Sequence, residues 1–217
     1  KIPCIGGKVS LYNETPSGPI KPTPLIGVLG LIDKKPLVSQ KILSGDNLVI
    51  IGDTKDELGG SEYFEYIHKF IGGNCPTVDF KESKKNMKSV LDSIKQQIPK
   101  SAHDCSKGGL AVAVAELCMT NQIGCKVSLN KVPGEKLTDD RILFSESHSR
   151  YLLTIDEKNI KKLKSILKKN KVSFQIIGKF GDKKIQFTNG MKSIIDLDVD
   201  KTQKTWFNSL KNLVLHS

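Results

Sequence analysis

Arginine is almost missing from this chain. Of its 34 basic residues only Arg141 and Arg150 are arginines, against 23 acidic residues and a net charge of +11. The planar guanidinium fork is the side chain best suited to reading bases and clamping phosphate in two places at once, and lysine does not replace it. Aromatic residues, the other platform for nucleic acid, make up 6% of the chain. None of them interleaves with the densest basic run, residues 159–170, so base stacking has no surface there. That run places Ile160, Leu163, Ile166 and Leu167 at helical spacing, which makes its lysines the wet face of an amphipathic helix. Nucleic acid is therefore not the expected partner. A lysine-rich nucleic-acid-binding module stays as an alternative from a different class.

Long apolar runs are missing too. The longest, residues 25–32, is far below the roughly 20 residues that cross a bilayer and fits a buried strand. No membrane association is expected, and no secretory leader is visible. Five cysteines (Cys4, Cys75, Cys105, Cys118, Cys125) contain no CxxC pair and no metal-ligand spacing with the four histidines. An odd, scattered count suits a reducing compartment, and a cytoplasmic location is expected. The chain opens at Lys1 with chemistry-bearing residues inside the first ten. The expectation is a piece of a longer protein.

What is present has two textures. Residues 1–33 hold Pro3, Gly6, Gly7, Pro16, Gly18, Pro19, Pro22 and Pro24 and read as loops ending in the strand at 25–32. This is too little to fold alone, so it reads as part of another domain. Regular structure starts near Lys34. A strand is expected at 47–52 and a helix at 61–71. A second amphipathic helix is marked by Phe80, Met87, Val90, Leu91 and Ile94. A third carries Leu110, Val114, Leu117 and Cys118 on one face. Strands follow at 125–129 and 151–155, on either side of a loop, then the lysine-faced helix, then strands at 172–178 and 183–188. Trp206, Leu210 and Leu213 predict a short closing helix. Strands and helices without strict alternation predict an α+β fold with a mixed sheet and flanking helices.

The richest stretch is Ser101-Ala-His103-Asp104-Cys-Ser106-Lys-Gly108-Gly109-Leu110. It sets an acid, a hydroxyl and two glycines ahead of a strong helix, whose first turn has unpaired N–H groups that attract phosphate. An aspartate there can hold a magnesium ion bridging to that phosphate. The alternative is local: Ser106 caps the helix and the glycines let it pack closely. Three other segments carry weaker signals. Gly6-Gly7-Lys8-Val9-Ser10 pairs glycines with a lysine, without P-loop spacing. Leu58-Gly-Gly-Ser61-Glu62 reads as a helix cap or an anion contact. In Phe144-Ser145-Glu146-Ser147-His148-Ser149-Arg150 the rare arginine can hold a carboxylate or phosphate, or pair with Glu146 or Asp140. His148 has no third partner for a triad.

In this order the segments resemble one family. Gly6 to Glu14, Pro22-Thr-Pro-Leu-Ile-Gly-Val-Leu-Gly, Glu57-Leu-Gly-Gly-Ser-Glu62, Ser101 to Leu110 and Leu143 to Arg150 are similar to the C-terminal part of the phosphoribosylformylglycinamidine synthase family. That family belongs to the aminoimidazole ribonucleotide synthetase-like superfamily. The resemblance implies that residues 1–33 end a second N-terminal-type domain, 34–200 form a second C-terminal-type domain, and 201–217 form a tail helix. It implies ATP/ADP and Mg2+ as cofactors. Implied partners are the remaining domains of the subunit, a glutaminase subunit, a small accessory subunit and a ribonucleotide substrate. Gly7 and Ser106 correspond to nucleotide contacts and Asp104 to a magnesium ligand. Ser10 corresponds to a substrate contact, as do Glu146, Ser147 and Arg150 by pseudo-repeat. Lys8 stands where the family usually has a metal-binding asparagine, and an ammonium cannot ligate a cation. The family's catalytic histidine lies outside this chain, so no catalytic residue is expected here. Another member of the superfamily, of the aminoimidazole ribonucleotide synthetase or thiamine-monophosphate kinase type, is the nearer alternative.

Overall fold

The computed structural model describes residues 2–9, 11–20, 23–32 and 38–215. The chain divides into two compact units, residues 1–35 and 36–217. In the first, strands β1 (Glu14–Thr15) and β2 (Gly18–Pro19) form a two-stranded antiparallel ribbon around the turn at Pro16 and Ser17. The strand expected at 25–32 is not formed. Leu25 is 98% exposed and Leu29 92%, and the segment has no ladder. An apolar run becomes a strand only where a neighbour takes its N–H and C=O groups. Nothing described in this unit does so.

The second unit is α+β, as the patterning predicts. Its strands are β3 (Asn47–Ile51), β4 (Ser101–Asp104), β5 (Cys125–Ser128), β6 (Tyr151–Ile155), β7 (Phe174–Phe180), β8 (Lys184–Asn189) and β9 (Lys192–Asp198). They form one sheet in the order β4-β6-β3-β7-β5-β8-β9, antiparallel except for the parallel pair β5 and β8. Alternation sorts the side chains between two cores. Leu48, Ile50 and Leu152 enter one, and Val49, Ile51, Leu153 and Ile155 enter the other.

Among the described residues six α-helices accompany the sheet: α1 (Glu62–Tyr66), α2 (Phe80–Lys95), α3 (Gly109–Asn121), α4 (Asp139–Phe144), α5 (Ile160–Lys169) and α6 (Val199–Leu215). The first core is closed by α3 with Ile142 and Leu143 of α4 and Val199 of α6, the second by α2 and α5. Helix α5 buries Ile160, Leu163 and Leu167 as its spacing predicts. Each contributes about 1.5–3 kcal/mol of apolar transfer.

Helix α2 is where the apolar pattern misleads. Phe80 is 81% exposed, Met87 52% and Leu91 49%, while Ser83, Asn86, Ser89, Val90 and Ser93 are buried. The inward face is bonded: Ser93 donates to the Ser89 carbonyl (2.7 Å), Asn170 to Ser89 Oγ (2.9 Å) and Asn86 to the Ser149 carbonyl (3.0 Å). Small hydroxyl side chains allow close approach and satisfy one another. Helix α1 is shorter than the expected 61–71 because no residue in it is buried. Helix α4, strand β4 inside the motif and the polar edge strand β9 were not foreseen. The closing helix begins at Val199 and is long, with Trp206 and Leu210 exposed; the Leu213 side chain lies outside the described residues.

Leu167→Ala should cost about 2–5 kcal/mol through a core cavity, while Phe80→Ala should change stability by less than about 0.5 kcal/mol. Urea midpoints of the two variants check this; equal losses would mean that α2 docks on its apolar side.

Candidate functional site

The acid–hydroxyl–glycine motif and the Ser-Glu-Ser-His-Ser-Arg segment come together in the second unit. They line a groove of about 460 Å³. Register explains the meeting. Edge strand β4 pairs with β6 so that Asp104 lies opposite Tyr151, and Cys105 N–H donates to the Arg150 carbonyl (3.0 Å). The loop after β4 and the loop before β6 therefore leave the same sheet end side by side.

Glycine makes the next turn possible. Gly108, the N-cap of α3, has φ 76°, and a Cβ there would lie 2.3 Å from a Val112 methyl. Gly109 has φ 65°, and its Cβ would lie 2.5 Å from the Ser145 carbonyl oxygen. Both positions exclude other residues by backbone region and by space. The Ser106 capping alternative does not hold: Ser106 is exposed, its backbone carbonyl accepts from Gly109 N–H (3.0 Å), and α3 has no side-chain cap from its own N-cap residue. Nor is the first turn of α3 open. Gly109, Leu110 and Ala111 are buried. Glu146 Oε1 accepts from Gly108 N–H (2.9 Å) and from Glu62 N–H at the start of α1 (3.2 Å).

Arg150 is the most buried charged residue of the site, 1% exposed. Its Nε donates to the Ser147 carbonyl (3.1 Å), its Nη1 to Thr54 Oγ1 (3.0 Å) and its Nη2 to the Ser145 carbonyl. Burial pulls its pKa down, and the charges of Glu57 and Glu146 oppose that. Ser147, also buried, accepts from Lys55 N–H (3.1 Å), and Ser145 Oγ accepts from Glu57 N–H (3.3 Å). These side chains stitch residues 54–57 to 145–150. Thr54, Glu57 and Glu62 were not singled out from the sequence as site residues, although the Glu57 to Glu62 string holds two of them.

Asp104 and Ser106 face the groove from exposed positions, and Lys107 beside them pairs with Glu62 (2.9 Å). Among the described residues no group of three His, Cys, Asp or Glu side chains could cage a metal. The donor set fits magnesium only in the manner that ion prefers, with one carboxylate and the remaining ligands from phosphate and water. Gly7 and Lys8 are exposed in the first unit, and Ser10 lies outside the described residues. Under the groove, burial pushes the Cys105 thiol up to about 11, with Asp104 adding to the rise and Arg150 opposing it.

Comparison with known proteins assigns the class. The chain belongs to the family described as AIR synthase related protein, C-terminal domain, which matches residues 44–188. Within that class it is 39% identical over 222 residues to the phosphoribosylformylglycinamidine synthase subunit PurL of Methanocaldococcus jannaschii, covering 99% of this chain and 30% of that protein. It is 36% identical to the PurL subunit of Thermococcus sibiricus, covering 97% and 29%. The chain thus spans about 30% of the length of the curated relatives it matches. Among solved structures it is similar to Thermotoga maritima PurL complexed with FGAR (TM-score 0.71, 19% identity, 77% of this chain and 29% of that one). It is also similar to Escherichia coli HypE, a hydrogenase maturation protein (TM-score 0.55, 15% identity, 74% and 51%). At these identities the likeness is one of fold.

Arg150→Met should cost about 3–5 kcal/mol in denaturant titration, because buried acceptors lose a charged donor. A loss below about 1 kcal/mol would show that the fork does not hold the loops.

Thiol titration gives a second check. Exposed Cys4 and Cys75 should react with a disulfide reagent at pH 8, whereas Cys105 should stay protected. The raised thiol also fixes a sign: its contribution is complete below the unfolded value of about 8.5 and fades towards 11, so stability should fall over that window.

Proposed function

We propose that this chain is the C-terminal part of a phosphoribosylformylglycinamidine synthase subunit. It contributes to the ATP-dependent conversion of formylglycinamide ribonucleotide and glutamine-derived ammonia to the formylglycinamidine in purine biosynthesis. The observation that carries this is the 39% identity along 99% of the chain to a relative of that name. The five signature segments fall inside the match and in the family's order. In that reaction ATP phosphorylates the amide oxygen and ammonia displaces the phosphate, so the protein mostly positions groups and balances charge.

In this reading residues 1–33 complete an N-terminal-type domain, 34–200 are the second C-terminal-type domain and 201–217 the tail. The groove is an accessory nucleotide site and not the catalytic centre. Asp104 and Ser106 reach a bound nucleotide there. Asp104 would hold magnesium there, and the ion would supply positive charge to balance a phosphate. Solved relatives of the same fold are complexed with ATP, ADP and AMPPCP, which supports a nucleotide as ligand. A further structure of the same fold is that of PurLQS from Thermotoga maritima, which supports assembly with other synthase subunits, in this reading a glutaminase and a small subunit. The scattered free cysteines suit a cytoplasmic location. Among the described residues no helix is long and apolar enough to cross a membrane.

Isothermal titration of the full-length protein should show Asp104→Asn weakening magnesium–ADP binding about tenfold or more, near the loss of one charged contact. The 217-residue chain alone should show no ATPase or amidine-forming turnover. Unchanged ADP affinity in Asp104→Asn would remove the metal role, and turnover by the isolated chain would move the catalytic centre into it.

A further inference from the structure

The first turn of α3 is the position that the motif's pattern offers to a phosphate, yet the protein has already placed an anion there. Glu146 reaches it from 38 residues away and accepts from two backbone N–H groups, one at the start of each of two helices. The start of α3 carries no acidic residue of its own. Lys107 is engaged with Glu62, so the lysine beside the motif already has an anionic partner.

The carboxylate is also held in place. Glu146 N–H donates to the Glu57 carbonyl (3.1 Å), Ser145 and Ser147 are tied to residues 55 and 57, and Arg150 grips the carbonyls on either side. The turn at Gly109 is packed against the Ser145 and Leu143 carbonyls, which leaves no room to shift it. A group tethered this way competes with a free ion at high effective concentration.

We propose that Glu146 is a resident anion that closes the α3 end of the groove to free phosphate and so sets what the groove accepts. The helix dipole is spent on the protein's own carboxylate. A phosphate-bearing ligand approaching this wall meets the carboxylates of Asp104 and Glu146, while the lining cations Lys107 and Arg150 are already engaged, with Glu62 and with backbone carbonyls. Its charge must be balanced by a cation it brings, and its contacts are with Ser106 and Asp104. This last consequence rests on the nucleotide reading above; the occupation of α3 by Glu146 does not.

The test is chemical rescue, read locally by amide hydrogen exchange over residues 105–112 of the full-length protein at ionic strength fixed with chloride. In Glu146→Ala, exchange in this peptide should quicken roughly tenfold, the value of a lost charged cap. Inorganic phosphate should slow it again in a saturable way. In the wild type, phosphate should leave the peptide unchanged. Glu146→Gln, which keeps an accepting oxygen but not the charge, should exchange at a rate between wild type and Glu146→Ala; a rate equal to wild type would overturn the anion's role. Phosphate protection of the wild-type peptide, or a folded Glu146→Ala that phosphate does not restore, overturns the proposal. Should Glu146→Ala fail to fold, Glu146→Ser repeats the comparison with the same two outcomes. Magnesium–ADP added to the wild type tests the nucleotide reading separately: absence of protection at residues 101–107 overturns that reading and leaves the phosphate result intact.

Discussion

The guanidinium of Arg150 is the buried charge at the centre of the network that ties two loops together. Residues 54–57 leave the central strand β3, where Thr54 also bridges Gly134, and residues 145–150 lead into its neighbour β6; both run over the sheet end outside the named strands. Such loops need partners for their buried carbonyls. Arg150 supplies three donor nitrogens from one rigid plane and cannot lose its proton at any physiological pH. Lysine, the basic residue used nearly everywhere else in this chain, would offer a single nitrogen. In a molecule that otherwise avoids arginine, one of the two is placed where only a fork will serve.

From that anchor the polar network spreads in two directions. Toward the groove, Ser145 and Ser147 fix the loop that delivers Glu146 to the helix starts. Away from it, Ser149 meets Ser83 and Asn86 of α2, and Ser89 meets Asn170 beyond the end of α5. The serine face of α2 is therefore part of the scaffold of the site. This also accounts for the exposed Phe80, Met87 and Leu91. The helix is oriented by its hydrogen bonds, and its apolar side chains go where that orientation leaves them.

Such a preference is poorly legible in a sequence. Elements with strong contrast between faces, such as α5 with its isoleucines and leucines against lysines, or β6 with its run of buried residues, read correctly from period alone. Helix α2 reads as a helix, and Val90 and Ile94 of its apolar set meet the second core, but Phe80, Met87 and Leu91 face out, because serine counts as polar whether it meets water or another hydroxyl. Strand β9 escaped because an edge strand carries lysine and aspartate among its apolar residues. The run at 25–32 carries a strand's composition without a described neighbour to pair with. At the site, the motif at 101–110 and the scarcity of arginine marked two segments that line the groove, but nothing in the sequence said that they meet. The direction of the fork and the reach of Glu146 depend on which loops share a sheet end, and strand register alone decides that.

Register also bears on how the groove can work. Its acid–hydroxyl corner is held from both sides: β4 is fixed to β6 by the ladder, and α3 is apolar around most of its circumference and buried between the sheet and its neighbouring helices. The turn between them contains two glycines whose backbone region and neighbours admit nothing else. A corner restrained at both ends, with its helix start already neutralised from within, has little freedom to close around a ligand. In the proposed reading its selectivity comes from what is fixed in advance, namely a carboxylate at Asp104, a hydroxyl at Ser106 and a helix terminus no longer available to a free anion. Preorganisation of this kind favours a ligand that arrives with its charge already balanced, because neither the groove nor the ligand then has to expose an unpaired charge on binding.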